Sequence, residues 1–401
     1  MNRRTFVTSA LSGGFTLHPL LNLPAAQAPK KLRNKGLTKA DLPTPALLVD
    51  LDLFEANLKI MAEHCRNAGC GFRPHAKTHK CPDIARRQIA AGALGICVAT
   101  VPEAEAMVGS GIPGVLLTSP IVDKPKIARM VELARKGRSV MLALGHPLQA
   151  ELLAAECDRR SVNVDVLIDI DVGDRRTGAL PGEPALELAR QIGKCRRLRV
   201  RGVQSYAGFA SHVSGFAARE KASRGALAKA VETRQRLAKA GFDTSIHSGG
   251  STGTYNIDSG TLTELQVGSF VFMDANYRVI GGKNGHPVYS DFHPSLTVLT
   301  TVVNATHPDL VSVDAGIKGF ATDAPQLPEA KSWEGLSYRR FGDEFGALSA
   351  APGAKLPKIG DRLEFIVPHC DPTVNLYEKI YATRGEKVEE VWRIAARRET
   401  A

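Results

Sequence analysis

Short apolar runs alternate with amphipathic stretches along most of the chain, starting near residue 70. In the amphipathic stretches, apolar residues recur at the spacing of a helix that is buried on one face. This alternation predicts strand–helix units that build a parallel sheet. The predicted strands are 71–76, 95–99, 114–118, 139–144, 164–170, 199–206, 243–247 and 264–267, and the predicted helices are 82–92, 102–110, 123–137, 147–158, 182–195 and 216–241.

The pattern changes after about residue 290, where β-rich segments are separated by glycine and proline. Segments 296–303, 310–314 and 362–367 predict a smaller antiparallel β domain, and residues 44–50 are a candidate additional strand of it. Eight strand–helix units fit a closed barrel better than an open sheet. The predicted fold is α/β, with a (β/α)8 TIM-like barrel over residues 38–290 and a C-terminal antiparallel β domain over residues 291–401.

The composition is that of a soluble globular protein, with 43% hydrophobic and 23% charged residues among 401. No segment reaches the uninterrupted apolar length of a membrane span, so a stable membrane anchor is not expected. The net charge is +11, but Lys and Arg are scattered and no stripe of aromatic residues accompanies them. This distribution favours anionic small molecules over nucleic acid as partners. Seven cysteines without a Cys-x-x-Cys pair argue against a disulfide framework.

The first residues carry the features of an export signal. Arg3 and Arg4 precede a mildly apolar stretch that ends in the small-x-small pattern of residues 26–28. Paired arginines before a weakly hydrophobic core resemble a Tat-type signal, here over residues 1–28. This predicts a periplasmic protein, and the alternative is a cytoplasmic protein with an unstructured tail.

The most informative chemistry lies in residues 72–80, where Lys77 follows the first predicted strand among basic and polar neighbours. Burial and nearby cations can lower the pKa of a lysine amine and make it nucleophilic. A lysine at the carboxyl end of a barrel strand is therefore a candidate for binding pyridoxal phosphate as a Schiff base. The alternative interpretation is a basic surface turn.

A glycine-rich run follows the seventh predicted strand and is the second strong signal. Its glycines allow the backbone to approach a ligand closely, and its hydroxyl side chains are hydrogen-bond donors. Such a run suits a phosphate dianion, yet it has neither the lysine of a Walker A loop nor a GxGxxG turn. The alternative is a flexible connecting loop. The run comprises Gly249, Gly250, Ser251, Thr252, Gly253 and Thr254.

His369 and Asp371 are candidate metal ligands. On an extended segment, residues i and i+2 face the same way, so these two side chains would share one ion while Cys370 points elsewhere. An imidazole and a carboxylate, completed by water, suit Mn²⁺ or another fairly hard divalent ion. A zinc site built from His369 and Cys370 has poorer geometry. Capping or an Asx turn before Pro372 explains the same pattern without a metal.

Five motifs together resemble those of the D-threonine aldolase and D-serine dehydratase family. These are pyridoxal phosphate enzymes of fold type III and are related to alanine racemase. The resemblance covers the chain from about residue 38 to its end, and the lysine and glycine motifs are its most specific parts. The motifs are residues 73–80, 171–176, 204–206, 248–255 and 369–371.

The resemblance implies a role for each candidate residue. Lys77 would bind the cofactor covalently, Arg176 would contact the ring near its phenolic oxygen, and His212 would be the base acting on the substrate's β-hydroxyl. His369 and Asp371 would bind a divalent metal beside the cofactor. The remaining implied cofactor-binding residues are Gln204 and Tyr206, together with Gly249, Gly250, Ser251, Thr252, Gly253, Thr254 and Tyr277 around the phosphate.

The metal motif separates the branches of this family. In this family, the dehydratases carry a His-x-Cys motif that binds zinc, whereas the aldolases carry His-x-Asp. The chain has the His-x-Asp pattern. The resemblance therefore implies a D-threonine aldolase that cleaves D-β-hydroxy-α-amino acids, with Mn²⁺ favoured over Mg²⁺ or Zn²⁺. The alternatives are a dehydratase acting on D-serine or D-threo-3-hydroxyaspartate and, less favoured, a non-catalytic pyridoxal phosphate-binding protein. A homodimer is the expected assembly.

Overall fold

The computed structural model describes residues 36–136 and 139–397. The predicted export signal at residues 1–28 lies outside this part of the chain, so it stays a prediction. Among the helices of the described residues, none combines the length and the apolar character needed to cross a membrane.

Eight parallel strands of the described chain form one curved sheet, with the order β2-β9-β8-β7-β6-β5-β4-β3. A parallel bridge between His75 and Cys97 joins the two ends of this order, so the sheet closes on itself. The predicted (β/α)8 barrel is thereby confirmed. The strands are β2 (Gly71–Phe72), β3 (Ile96–Val98), β4 (Val115–Leu117), β5 (Val140–Leu144), β6 (Val164–Ile170), β7 (Leu198–Ser205), β8 (Ile246–Gly249) and β9 (Glu264–Leu265).

Helices between the strands cover the outside of the barrel and bury one apolar face each against it. The ends of the six helices predicted between residues 82 and 241 agree with the structure to within two residues, because capping and proline signals mark them; Asp123, for example, accepts a hydrogen bond from the Lys126 N–H at 3.0 Å. Two short helices, Tyr255–Asp258 and Ala275–Arg278, were not predicted. The helices are α2 (Pro82–Ala90), α3 (Val101–Gly109), α4 (Lys124–Arg135), α5 (Pro147–Arg160), α6 (Glu183–Gly193), α7 (Phe216–Lys239), α8 (Tyr255–Asp258) and α9 (Ala275–Arg278).

The seventh barrel strand lies later in the chain than predicted. The predicted strand was 243–247, whereas β8 begins at Ile246 and ends at Gly249. Asp243 accepts a hydrogen bond from the Ser245 N–H at 2.8 Å, and this turn delays the start of the strand.

A further helix, α1 (Leu51–Ala68), was not predicted. Its first turn is capped by Asp50, whose side chain accepts from the N–H groups of Asp52 and Leu53. It ends at Gly69, which takes the left-handed conformation with φ of 68°. Asp50 and Gly69 are regular capping residues at the two ends of the helix, so the sequence contained the signals that predict it.

The second sheet forms the β domain. Its central order is β13-β14-β11-β10-β1-β16-β17, with β15 paired to β10 and β12 paired to β15. The segment predicted at 44–50 does join this sheet as β1, antiparallel to β10 and parallel to β16, so the domain is largely rather than wholly antiparallel. The elements are β1 (Ala46–Asp50), β10 (Leu296–Asn304), β11 (Val311–Val313), β12 (Glu329–Ala330), β13 (Leu336–Arg340), β14 (Gly346–Ala350), β15 (Arg362–Ile366), α10 (Cys370–Asn375), β16 (Lys379–Arg384) and β17 (Lys387–Arg393).

Candidate active site

A cavity of about 240 Å³ opens at the carboxyl ends of the barrel strands. Catalytic sites of (β/α)8 barrels lie at this end because the strand-to-helix loops converge there. Half of the predicted site residues line this cavity, although they come from distant parts of the chain. They are Lys77, Arg176, Gln204, Tyr206, Ser251, Thr252 and Tyr277.

Lys77 lies in a 3-10 turn, Ala76–Thr78, directly after the first barrel strand. Its Nζ atom is 3.2 Å from Oδ2 of Asp371, and its side chain is 44% exposed. Asp371 raises the pKa of the Lys77 amine and outweighs the opposite effect of burial. The expectation of a lowered pKa was therefore wrong, because the carboxylate that reverses it lies almost three hundred residues away in the sequence.

Lys80 is the second lysine of the same segment. It is buried, adopts a positive φ of 52°, and donates hydrogen bonds to the carbonyl oxygens of Lys77 and Asp371. Burial lowers the pKa of its amine. Two ammonium groups thus flank Asp371, one open to the cavity and one enclosed by protein.

The proposed metal motif begins a helix instead of continuing a strand. His369 is extended and caps α10, while Cys370 and Asp371 belong to the first helical turn. The argument that residues i and i+2 of an extended segment face the same way is therefore wrong here. Cys370 is buried and donates its S–H to Oδ2 of Asp274 at 2.9 Å, which turns it away from His369.

His369 and Asp371 retain the donors that a divalent ion needs. Nδ1 of His369 lies 2.6 Å from Oδ2 of Asp323, which leaves Nε2 for a metal. Oδ1 of Asp371 is buried without a hydrogen-bond partner in the described chain. Burial raises the pKa of Asp371, but the charges of Lys77, Lys80 and His369 overcome this and hold it well below its usual value. Within residues 36–136 and 139–397, no three His, Cys, Asp or Glu side chains converge, so these two ligands would be completed by water or substrate.

Asp274 joins the two domains beside the cavity and was missed by sequence reasoning. It is fully buried, and burial raises the pKa of its carboxyl group. Oδ1 accepts from the Tyr277 N–H and Oδ2 from the Cys370 N–H, both at 2.9 Å. One carboxylate therefore begins both α9, which carries Tyr277, and α10, which carries Asp371. No local pattern around Asp274 signals this role, since the Cys370 contact is long-range.

The glycine-rich run has two different parts. Ser251 and Thr252 line the cavity, and Oγ1 of Thr252 accepts from the Phe270 N–H at 3.0 Å, which leaves the Thr252 proton for donation. Gly250 has a φ of 76°, the left-handed region that favours glycine. The Thr254 hydroxyl instead donates to Asp258, within the protein. Thr254 therefore supports the loop and does not line the cavity.

Gly249 and Gly253 serve close backbone packing. A Cβ atom on Gly249 would lie 2.0 Å from the Ser205 carbonyl oxygen, and one on Gly253 would lie 2.1 Å from that of Ser211. Neither glycine lines the cavity. Gly253 thereby allows the glycine-rich run to lie against the segment that carries His212.

His212 is exposed to solvent and does not line the cavity, but it packs against Tyr277, which does. Its ring centroid is 4.3 Å from that of Tyr277, with the planes inclined by 36°. The surrounding protein lowers the pKa of His212 to about 4, and the charges of His369 and Lys77 add to this effect. The imidazole is therefore neutral near pH 7.

A network of amides covers the inner end of the cavity. Nε2 of Gln204 donates to Oδ1 of Asp169 at 2.8 Å and to the Thr118 carbonyl at 3.0 Å, and Gln266 donates to Gln204 at 3.1 Å. Asp169 and Gln266 line the cavity and were not predicted, although Asp169 falls at a strand end where site residues are expected. Arg176 and Tyr206 also line the cavity, and the Arg176 guanidinium lies 5.2 Å from the Tyr206 ring centroid.

Comparison with known proteins gives the same family for both parts of the chain. Residues 49–276 match the family described as alanine racemase, N-terminal domain, and residues 295–383 match the putative serine dehydratase domain. A D-threonine aldolase from Arthrobacter sp is 37% identical over 89% of this chain and 93% of its own length. The chain belongs to the D-threonine aldolase and D-serine dehydratase family.

Two further members show how evenly the similarity is spread. The 3-hydroxy-D-aspartate aldolase of Paracoccus denitrificans is 32% identical over 90% of this chain and 94% of its own. The crystal structure of D-threonine aldolase from Filomicrobium marinum superposes with a TM-score of 0.85, at 34% identity, covering 91% of this chain and 99% of that one. Both the barrel and the β domain are thus those of the family, whose members use pyridoxal phosphate.

Proposed function

We propose that this protein is a pyridoxal phosphate- and divalent-metal-dependent D-threonine aldolase, which cleaves D-β-hydroxy-α-amino acids to glycine and an aldehyde. The observation that carries the proposal is the contact between Lys77 and Asp371, 3.2 Å between Nζ and Oδ2. It places the candidate cofactor lysine of the barrel beside the candidate metal ligand of the β domain. The similarity to two aldolases supports the same activity.

The cavity residues fit the cofactor. Lys77 would bind it covalently, and the hydroxyl groups of Ser251, Thr252 and Tyr277 would hold its phosphate. Arg176, beside Tyr206, would meet the ring oxygen. When bound, pyridoxal phosphate withdraws electrons from the bonds at the substrate's α-carbon, and a divalent ion polarises its β-hydroxyl.

His212 is the base that we assign to the β-hydroxyl proton. Because its pKa is about 4, an unprotonated ring nitrogen is available at neutral pH. Its packing on Tyr277 holds the ring beside the cavity that Tyr277 lines. The positive charge of Lys77 also disfavours its protonation.

His369 and Asp371 would hold the metal. The Asp323 contact to Nδ1 orients the imidazole so that Nε2 is the free nitrogen, and the buried Oδ1 of Asp371 is the free carboxylate oxygen. One nitrogen and one hard oxygen donor with water suit Mn²⁺ best, with Mg²⁺ and Zn²⁺ as the alternatives.

Dehydration of a β-hydroxy-D-amino acid is the second candidate. It is favoured by the match of residues 295–383, which include the metal motif, to the putative serine dehydratase domain. The same residues would serve that reaction if the α-proton were removed and the Cβ–O bond broke, so that the β-hydroxyl group left as water. A non-catalytic pyridoxal phosphate-binding role fits less well, because such proteins are usually single barrels, whereas this chain adds a β domain with His369 and Asp371.

Product analysis separates these functions. The purified protein is incubated with D-threonine, pyridoxal phosphate and Mn²⁺, and products are identified by chromatography and mass spectrometry. Glycine with acetaldehyde is the expected result. Ammonia with 2-oxobutanoate would establish the dehydratase instead. If the absorbance of bound cofactor appears but neither pair of products forms from D-threonine or other β-hydroxy-D-amino acids, the result supports the non-catalytic pyridoxal phosphate-binding protein.

We further propose that the protein is a homodimer exported to the periplasm. The dimer follows from the fold family and is tested by light scattering of the purified protein during gel filtration, where a 43.0 kDa mass would refute it. Export rests on the paired Arg3 and Arg4 and is tested by fusing residues 1–45 to a reporter. Changing both arginines to lysine should keep the reporter in the cytoplasm.

A further inference from the structure

Arg219 lies in the first turn of α7 and is completely buried. Its guanidinium donates four hydrogen bonds, all to backbone carbonyl oxygens. Nε reaches the Gly253 carbonyl at 2.8 Å, and Nη1 reaches those of Val213 and Ile280 at 2.9 Å. Nη2 reaches the Gly281 carbonyl, also at 2.9 Å.

Arg219 forms no salt bridge with a carboxylate in the described part of the chain; burial lowers the pKa of its guanidinium, and Asp291 offsets this only in part. The rings of Phe216 and Tyr289 lie over the guanidinium, with centroids 5.7 and 5.6 Å away. A buried cation is costly unless its donors are satisfied, and here carbonyl dipoles satisfy them. An apolar side chain would take these donors away from the four carbonyl oxygens, so the position calls for a side chain with several N–H groups.

The carbonyls belong to three segments, and each segment carries a residue of the candidate site. Gly253 belongs to the glycine-rich run that includes Ser251 and Thr252. Val213 directly follows His212. Ile280 and Gly281 follow the short helix α9, which contains Tyr277.

We propose that Arg219 is a positioning residue that sets the distance between the phosphate-binding loop and the base His212. This inference rests on the proposed function for the role of His212, but not for the cofactor site. The planar guanidinium directs its N–H groups along fixed, divergent directions, so one side chain can hold three segments in one arrangement. Lysine has the same charge on a single nitrogen and cannot reach all four carbonyls.

The test compares Arg219→Lys with a matched control, Arg362→Lys. Arg362 also donates to three backbone carbonyls, those of Lys39, Ala40 and Leu42, but it does so within the β domain on β15. For each holoenzyme, we would measure the dissociation constant of pyridoxal phosphate, kcat and KM, and local hydrogen exchange by mass spectrometry. These readouts separate a loss of position from a general loss of stability.

Arg219→Lys is expected to weaken pyridoxal phosphate binding by about ten- to a hundredfold, since hydrogen bonds from a charged donor are lost. It should lower kcat more than it raises KM, and it should speed exchange at residues 207–215, 250–254 and 278–282 only. Arg362→Lys should change neither cofactor affinity nor exchange in these segments. Unchanged cofactor affinity and exchange in Arg219→Lys, or a uniform rise in exchange across the protein, would overturn the proposal.

Gly253→Ala tests the same spacing from the other side if Arg219→Lys does not fold. Its Cβ would lie 2.1 Å from the Ser211 carbonyl, so the two segments have to separate. The same pattern of weaker cofactor binding and local exchange is expected, and its absence would refute the positioning role. If wild-type protein forms no glycine from D-threonine, the proposed function fails, whereas cofactor affinity still decides the role of Arg219.

Discussion

Two barrel cations, Arg73 and Lys77, lie only four residues apart in the sequence but form ion pairs at opposite ends of the barrel. Arg73 and Glu264 meet at the amino-terminal end, with two parallel hydrogen bonds of 2.9 and 2.8 Å. Arg73 also donates to the Gly114 carbonyl at 2.6 Å. Lys77 and Asp371 meet at the carboxyl end through a single contact of 3.2 Å, with one carboxylate oxygen unpartnered.

The difference between the pairs lies in how completely their polar atoms are satisfied. The Arg73–Glu264 pair is buried on both sides and its bonds are bidentate, a geometry that locks two strands together. The Lys77 amine is half open to the cavity, and Asp371 keeps a free oxygen. A fully satisfied pair has no capacity left for a ligand, whereas an incompletely satisfied pair can exchange its partner. The first therefore supports the barrel and the second supports chemistry.

Removing Lys77 should have the largest effect. Lys77→Ala is expected to abolish the visible absorbance of bound pyridoxal phosphate and all turnover, because no other accessible amine of the described chain lines the cavity. The measurement is the absorbance spectrum after gel filtration with cofactor. Lys80→Met is the control, since Lys80 is buried behind Asp371, and it should keep the absorbance. The reverse pattern would assign the cofactor to Lys80.

Neutralising Asp371 should affect the metal more than the cofactor. Asp371→Asn keeps the shape of the side chain but removes the charge, so Mn²⁺ should bind about a hundredfold more weakly or worse. Cofactor absorbance should persist, because Lys77 is intact. Isothermal titration with Mn²⁺ and spectra of the same samples check both parts. Unchanged Mn²⁺ affinity would show that the ion binds elsewhere.

Breaking the Arg73–Glu264 pair should lower the stability of the fold but not the catalytic activity. Glu264→Gln leaves the buried Arg73 guanidinium without its counter-charge, which is expected to lower the free energy of unfolding by about 3–5 kcal/mol. Activity per folded molecule should stay near that of the wild type. Urea denaturation and active-site titration check the two quantities. The double variant Arg73→Met with Glu264→Leu should recover part of the loss; a loss as large as in the single variant would contradict this.

A third buried carboxylate sharpens the comparison because, among the described residues, its hydrogen-bond partners are hydroxyl groups instead of a cation. Asp258 accepts from Ser223 and Thr254, and burial raises its pKa to about 6. A raised folded-state pKa means that the protonated form favours folding below pH 4, and this stabilisation is lost as pH rises through 6. Relative to Asp258→Asn, the wild type should therefore lose about 3 kcal/mol between pH 4 and 7. Denaturation curves at several pH values test this, and parallel profiles of the two proteins would exclude it.

The sequence was sufficient for features that depend on neighbouring residues. Strand and helix periods placed β6 at residues 164–170 without error, and the capping residue Asp123 marked the start of α4. The glycine-rich run was recognised because its composition is itself the local signal. Such features need no knowledge of the rest of the chain.

Other features depend on contacts between distant residues and were not predictable. Asp371 raises the pKa of Lys77. The Asp274 carboxylate accepts hydrogen bonds from the first turns of two helices that belong to different domains. Arg219 donates hydrogen bonds to three separate segments. The extended-segment argument for His369 also failed, because α10 starts one residue later under the influence of Asp274. In each case a buried polar side chain acts on a segment that is remote in sequence.

The position of β1 has a consequence for how the chain is made. Its Val49 pairs with Leu296, which is 247 residues later (296 minus 49). At about 5–20 residues per second, roughly 12–50 seconds of synthesis separate the two strands. During that interval the apolar side chains of Leu47, Leu48 and Val49 have no sheet to join, although all three are buried in the finished protein. The nascent chain therefore exposes an apolar strand, β1, while the barrel is being synthesised. This strand is protected from aggregation only when its partners β10 and β16 have been made.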